Sequence, residues 1–87
     1  MYYEQKQAME SVEVIAHFHN LQIDIIKFKW KNKTYKVDHV ANKWKINDGK
    51  DIVSHFIAIC KDSELLCELS FNHSDMKWEI IQWDNLV

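Results

Sequence analysis

Two histidines separated by one residue, His17 and His19 in the segment HFH, have the type and spacing that suit a metal site. Positions i and i+2 of a β-strand lie on one face of the sheet, so both imidazoles could reach the same ion. Glu13 has the same parity, and His39 or His55 could complete a site. HxH supplies only two ligands, however, and is equally compatible with surface histidines. We therefore expect no cofactor and keep His17 and His19 as candidate metal ligands.

The lysines are concentrated in the middle of the chain. Residues 27–50 contain eight lysines against two acids, a balance of +6, and the remainder contains three lysines against eleven acids, a balance of −8. Such charge separation can steer an anionic partner. The candidate polyanion-binding residues are Lys27, Lys29, Lys31, Lys33, Lys36, Lys43 and Lys45.

The stretch IKFKWKNKTYK, residues 26–36, sets aromatic residues and lysines in alternation. Aromatic side chains beside cations are typical of surfaces that bind single-stranded nucleic acid. Strand geometry, however, sends Phe28, Trp30 and Tyr35 to one face and the lysines to the other. The chain also has no arginine, which removes the planar fork used for bidentate phosphate or guanine contacts. The lysines could still hold phosphates, face an acidic protein, or simply be solvated.

Nucleophilic catalysis has little support in the sequence. Cys60 with a histidine, or Ser54 beside His55, could form a nucleophile–base pair, but no motif fixes their geometry. Gly49 is the only glycine, so a glycine-rich phosphate loop is excluded. We expect no enzymatic activity.

Cysteine usage and hydropathy indicate the compartment. Two cysteines, Cys60 and Cys67, are too few for a disulfide scaffold and predict reduced, buried thiols in a cytoplasmic protein. Residues 1–18 show no basic region followed by an apolar run, and no apolar run is long enough to cross a bilayer, so we expect neither a signal peptide nor a membrane partner.

Period-2 patterning predicts that β-strands position these side chains. The apolar residues alternate or cluster in six candidate strands, at residues 11–19, 25–31, 35–39, 51–61, 64–71 and 77–83. The prediction is one all-β domain over residues 1–87, a curved antiparallel meander of five or six strands that is barrel-like or roll-like. Residues 11–84 form its β core, and residues 1–10 an extension or short helix.

Two hairpins can be given a register. A turn at Asn32-Lys33 would pair aromatic and apolar residues on one face, as Trp30–Tyr35, Phe28–Val37 and Ile26–His39. A turn at Ser63-Glu64 would do the same for Cys60–Cys67, Ala58–Leu69 and Phe56–Phe71. Residues 63–69 could instead be helical, since Leu65 and Leu69 are four apart.

Under the same parity several large apolar residues fall on the face opposite the core. A contiguous exposed patch of this kind usually marks a contact surface. A curled sheet, the N-terminal segment or a second subunit could cover it. Trp44 adds a possible anchor in a predicted irregular segment, residues 41–51, unless it folds back over one end of the barrel. The interface candidates are Trp44, Ile57, Ile59, Leu66, Ile81 and Trp83.

Two segments resemble a family of small uncharacterised bacterial β-domains. FKWKNKTYKVDHVANKW, residues 28–44, is similar to its F-x-W-x-x-[KR]-x-Y-x-V…W signature. CELSFNHSDMKWEIIQWD, residues 67–84, is similar to its closing pattern of an acidic-Leu pair, a polar turn, Trp and an aromatic-Asp ending. The resemblance implies an all-β fold and brings no catalytic residues. This chain has lysine where arginine is common in that family.

Together these features favour a non-catalytic interaction module that self-associates, most simply as a homodimer, with another protein as a possible partner. The alternative is weak binding of single-stranded nucleic acid through the lysine-rich residues 27–50.

Overall fold

The structure is a computed structural model that describes residues 6–86, and these residues form eight β-strands without a helix. The strands are β1 (Lys6–Ser11), β2 (Glu13–His19), β3 (Gln22–Trp30), β4 (Lys33–Lys36), β5 (His39–Asp48), β6 (Asp51–Cys60), β7 (Leu65–Asn72) and β8 (Lys77–Asn85). The all-β prediction is confirmed, but residues 6–86 form eight strands rather than five or six. Within residues 6–86 there is no helix that could span a membrane.

The strands form two antiparallel sheets. One has five strands in the order β1-β8-β7-β6-β5, and the other has three in the order β2-β3-β4. Two bends connect the sheets. At the first, the amide of Val12 donates to the carbonyl of Trp78, and at the second the amides of Val37 and Asp38 donate to the carbonyls of Ile26 and Ile59. The chain therefore turns from one sheet into the other at both ends, which gives a roll.

The bends explain the difference in strand count. β1 continues into β2 across Val12, and β4 continues into β5 across Val37 and Asp38, so the eight strands make six long extended segments. The short helix predicted within residues 1–10 is wrong for residues 6–10, which belong to β1 and pair with β8. Residues 1–5 lie outside the described residues. The irregular segment predicted at residues 41–51 is also wrong, because residues 39–48 form β5.

The core lies between the two sheets and consists of the inward faces of both. Phe28 and Trp30 of the three-stranded sheet are buried against the five-stranded sheet, where Leu69, Phe71 and Ile80 are also buried. Trp30 packs edge-on against Trp83, with ring centroids 5.7 Å apart. Its indole Nε1 donates a 2.8 Å hydrogen bond to Oε2 of Glu10. The predicted faces of the first hairpin are thus correct: aromatic residues are inside and lysines outside.

Both predicted hairpins exist, with partners shifted by two residues. Lys31 and Asn32 form the first turn with φ angles of 53° and 61°, so Trp30 pairs with Lys33 and Phe28 with Tyr35. Positive φ at both positions matches the two-residue turns whose twist suits a hairpin. Because the turn lies one residue earlier than predicted, partners shift by two, and Phe28, Trp30 and Tyr35 keep their predicted face.

The second hairpin repeats this pattern. Residues 61–64 form the turn, and β7 is a strand rather than the alternative helix at residues 63–69. Cys60 pairs with Leu65, and Ala58 with Cys67. The cysteines therefore lie diagonally across the two strands, and both are free thiols.

Strict alternation fails where a strand contains an extra residue. In β3, Ile15 pairs with Lys27 and Ala16 with Ile25, which leaves Ile26 as the bulged residue. Ile26 was predicted to share the inner face with Phe28, but the bulge places Ile25 there instead. Ile25 is 7% exposed and Ile26 is 48% exposed.

This pair of neighbouring isoleucines tests the bulge. We expect Ile25→Ala to lower the free energy of unfolding by about 2–4 kcal/mol, because it leaves a cavity in the core. Ile26→Ala should cost less than about 1 kcal/mol, since it removes an exposed side chain. Urea denaturation of both variants measures the difference. A larger loss for Ile26→Ala would mean that the unbulged register is the real one.

Candidate functional site

A groove of about 800 Å³ lies between the tip of the β2–β3 hairpin and the inner face of the five-stranded sheet. Phe18 and Ile23 line one wall, and Phe56 and Phe71 line the other. Phe18 is 51% exposed although its ring packs edge-on against Phe71 at 5.7 Å. The hairpin tip thus leaves part of the inner face accessible. The groove volume falls within the range of small-molecule sites.

Two of the candidate lysines line this groove because of a bulge in β5. Val40 pairs with Ala58 and Asn42 with Ile57, so Ala41 is an extra residue. Before Ala41 the even-numbered residues of β5 face inward, and beyond it the odd-numbered residues do. Lys43 and Lys45 pair with the inward-facing Phe56 and Ser54. An apolar floor with two cations beside it has the chemistry to hold an amphipathic anion.

A serine–histidine pair also lies in the groove. The Ser54 hydroxyl is 2.7 Å from Nε2 of His73, rather than paired with the adjacent His55 that the sequence suggested. Ser54 is 4% exposed. A buried polar group needs such a partner, so the pair is sufficiently explained as satisfied hydrogen bonding in the groove wall.

Both cysteines lie deep in the core of the five-stranded sheet. Burial, followed by the negative charge of Asp38, raises the pKa of the Cys60 thiol from its ordinary value to about 11. Burial also raises the pKa of Cys67, further than that of Cys60. Only the thiolate is nucleophilic, so this environment disfavours Cys60 as a nucleophile.

The two histidines predicted as metal ligands do come together, with a third group that the sequence did not suggest. His17 and His19 lie on the outer face of the three-stranded sheet with their rings stacked at a centroid distance of 4.7 Å. Asp24 pairs directly with His17 across the hairpin, and its Oδ2 is 2.7 Å from Nε2 of His19. The ligand atoms of all three side chains lie within 4.8 Å of one another. His39 and His55 are not part of this group.

Asp24 was missed because the β2–β3 turn was missed. That turn is formed by Asn20 and Leu21, with φ angles of 47° and 64°. Asn20 was the one available signal, since Asn tolerates the left-handed region, but leucine rarely occupies it.

The outer face of the five-stranded sheet carries most of the interface candidates. Ile57, Ile59 and Leu66 are all half-buried, and Ile59 pairs with Leu66 across β6 and β7. Ile46 and Val53 form a further cross-strand pair on this face. Within residues 6–86 no strand covers the patch, because the three-stranded sheet packs on the inner face.

Trp44 lies on this same outer face, in a strand rather than in a loop or over the end of the roll. Its ring stacks on His55 with a centroid distance of 5.3 Å and an interplanar angle of 5°. His55 Nδ1 is 2.9 Å from Oε2 of Glu68, and Gln82 donates a 2.9 Å hydrogen bond to Oε1 of the same carboxylate. The polar groups at the centre of the face are thus already paired with one another.

Two interface candidates in β8 occupy different positions from the predicted ones. Glu68 pairs with Gln82 and Leu69 with Ile80, so Ile81 is an extra residue in the strand. The bulge turns Trp83 inward, opposite Cys67 and against the core. Its assignment to the outer face was wrong for this reason.

The candidate polyanion-binding lysines fall into three groups. Lys27, Lys29 and Lys36 share the outer face of the three-stranded sheet, and Lys27 pairs directly with Lys36. Lys31 and Lys33 place their ammonium groups 4.9 Å and 5.2 Å from the ring centroids of Trp30 and Tyr35. Lys43 and Lys45 line the groove. The lysines therefore do not form one continuous surface.

Comparisons with protein-family models, with curated proteins and with solved structures find no match. The resemblance of residues 28–44 and 67–84 to a family of small bacterial β-domains stays a prediction.

The burial of the thiols predicts low reactivity. At about pH 8, a thiol with a raised pKa holds far less thiolate than an ordinary cysteine, so both should react with Ellman's reagent at least about a hundredfold more slowly in the native protein than after unfolding. The Cys60→Ala and Cys67→Ala variants assign the remaining reaction to one thiol. A native thiol that reacts as fast as the unfolded chain would contradict this placement.

Proposed function

We propose that the protein is an interaction module that self-associates through the outer face of its five-stranded sheet. The observation that carries this proposal is the uncovered apolar patch formed by the Ile46–Val53 and Ile59–Leu66 pairs with Ile57 between them. Contiguous apolar surface of this kind commonly marks an interaction site. A second copy of the chain is the simplest partner, because a twofold axis places the same patch on both sides.

The polar groups within the patch favour burial. Covering an unpaired polar group is costly, whereas a paired group loses little when water is removed. His55 and Gln82 both already bond the Glu68 carboxylate. Trp44 extends the surface beside His55, and tryptophan is enriched at the energetic centres of interfaces. Two such sheets could pack face to face, as in β-sandwiches.

Sedimentation velocity at micromolar protein concentrations tests self-association. We expect a dimer whose dissociation constant changes little with salt, because apolar burial drives it. Ile57→Lys should raise that constant by about tenfold or more, since it places a charge in the patch.

Ile15→Lys is the matched control. Ile15 is 53% exposed on the outer face of the other sheet, so its substitution should leave the dimer intact. Thermal unfolding of both variants confirms that they are folded. A wild-type protein that sediments as a monomer throughout this range would overturn the proposal.

A second candidate function is weak binding of single-stranded nucleic acid. Its support is the like-charged pair Lys27–Lys36 with Lys29 on the same face. Like charges directly opposite each other destabilise a sheet, so a polyanion would relieve this repulsion. The buried aromatic rings do not support base stacking, and this function would therefore use phosphate contacts alone.

Fluorescence-anisotropy titration with a labelled oligonucleotide at several salt concentrations tests this second function. Three phosphate contacts should give a slope of log K against log salt of about −2. Lys29→Glu should weaken binding and make the slope less steep, whereas Lys61→Glu, in the β6–β7 turn, should change neither. An unchanged anisotropy at low salt would exclude this function.

A further inference from the structure

We propose that His17, His19 and Asp24 form a binding site for a divalent transition-metal ion of the zinc type. Two neutral nitrogen donors and one carboxylate oxygen are a common ligand set for such ions. Sequence spacing brings the two histidines together, and strand pairing adds the aspartate independently.

The geometry is close to what a single ion needs. Tetrahedral zinc with bonds of about 2.0–2.1 Å holds its ligand atoms about 3.3 Å apart. Nε2 of His19 and Oδ2 of Asp24 are 2.7 Å apart, and all three ligand atoms fall within 4.8 Å. Small rotations of the side chains would therefore bring the three atoms around one ion.

The position of the site allows an ion to enter. All three side chains are exposed, and they project from adjacent strands of the outer face, so no core packing has to move. An ion pair between exposed groups contributes little to stability. The stability gained from the contact between His19 and Asp24 therefore does not by itself explain why the three side chains lie together.

Three protein ligands leave a coordination position open to water or to another ligand. His19 also lines the groove at the hairpin tip. An ion held there would tie β2 to β3 close to that tip.

Magnesium and calcium prefer oxygen ligands, so neither should compete at this site.

The site can be tested with zinc alone. Isothermal titration of the untagged full chain with zinc chloride should show about one ion per chain, unaffected by excess magnesium. His17→Ala, His19→Ala and Asp24→Asn should each weaken binding by about tenfold or more. His39→Ala is the matched control, because His39 is an exposed histidine outside the cluster, and it should bind zinc like the wild type.

A melting-temperature shift and a cobalt spectrum separate loss of zinc binding from loss of folding. Zinc should raise the melting temperature of the wild type, and Asp24→Asn should lose this shift while melting normally without metal. Cobalt bound to the wild type should show visible d–d absorption. Zinc should displace the cobalt and abolish this absorption, and the measurement requires no variant. The proposal is overturned if zinc binds without a defined stoichiometry, or if His39→Ala weakens it as much as His17→Ala does.

Discussion

Burial of one apolar face of each sheet against the other is the interaction on which the structure depends. Phe28 and Trp30 are buried in the three-stranded sheet, and Leu69 and Ile80 are buried in the five-stranded sheet. A small domain buries a limited fraction of its surface, so large aromatic side chains are an efficient way to fill such a core. The hydrogen bond from Trp30 to Glu10 shows that a polar atom is also satisfied at the edge of this core.

Bulges in β3, β5 and β8 then decide which side chains remain available for function. The extra residue Ile26 brings Ile25 into the core, and the extra residue Ile81 turns Trp83 inward. The extra residue Ala41 sends Trp44 outward and places Lys43 opposite Phe56. Bulges bend a strand and redirect its side chains, so one inserted residue exchanges the faces of the residues beyond it.

The result is a separation of surfaces with different chemistry. The outer face of the five-stranded sheet offers aliphatic groups around an internally paired His55–Glu68 contact. The outer face of the three-stranded sheet offers the imidazoles and carboxylate of His17, His19 and Asp24, together with lysines. The groove between the sheets combines aromatic walls with two cations. The apolar patch proposed for self-association and the candidate metal ligands therefore share no residue.

The sequence by itself determined the fold class, the two hairpins and the faces of most side chains, because period-2 alternation directly reflects which side of a sheet is buried. The turns of the two predicted hairpins were placed to within one residue, and a turn error of one residue shifts partners by two, so it moves no side chain to the other face. The β2–β3 turn at Asn20 and Leu21 was missed. Only the tertiary structure decided the strand status of residues 6–10 and 40–48, whose patterning is too polar to predict burial. It also decided the bulges in β3, β5 and β8 and the pairing of Asp24 with His17, since an inserted residue and a cross-strand neighbour depend on contacts distant in sequence. The candidate metal site therefore has two ligands that spacing alone identifies and a third that only folding brings to them.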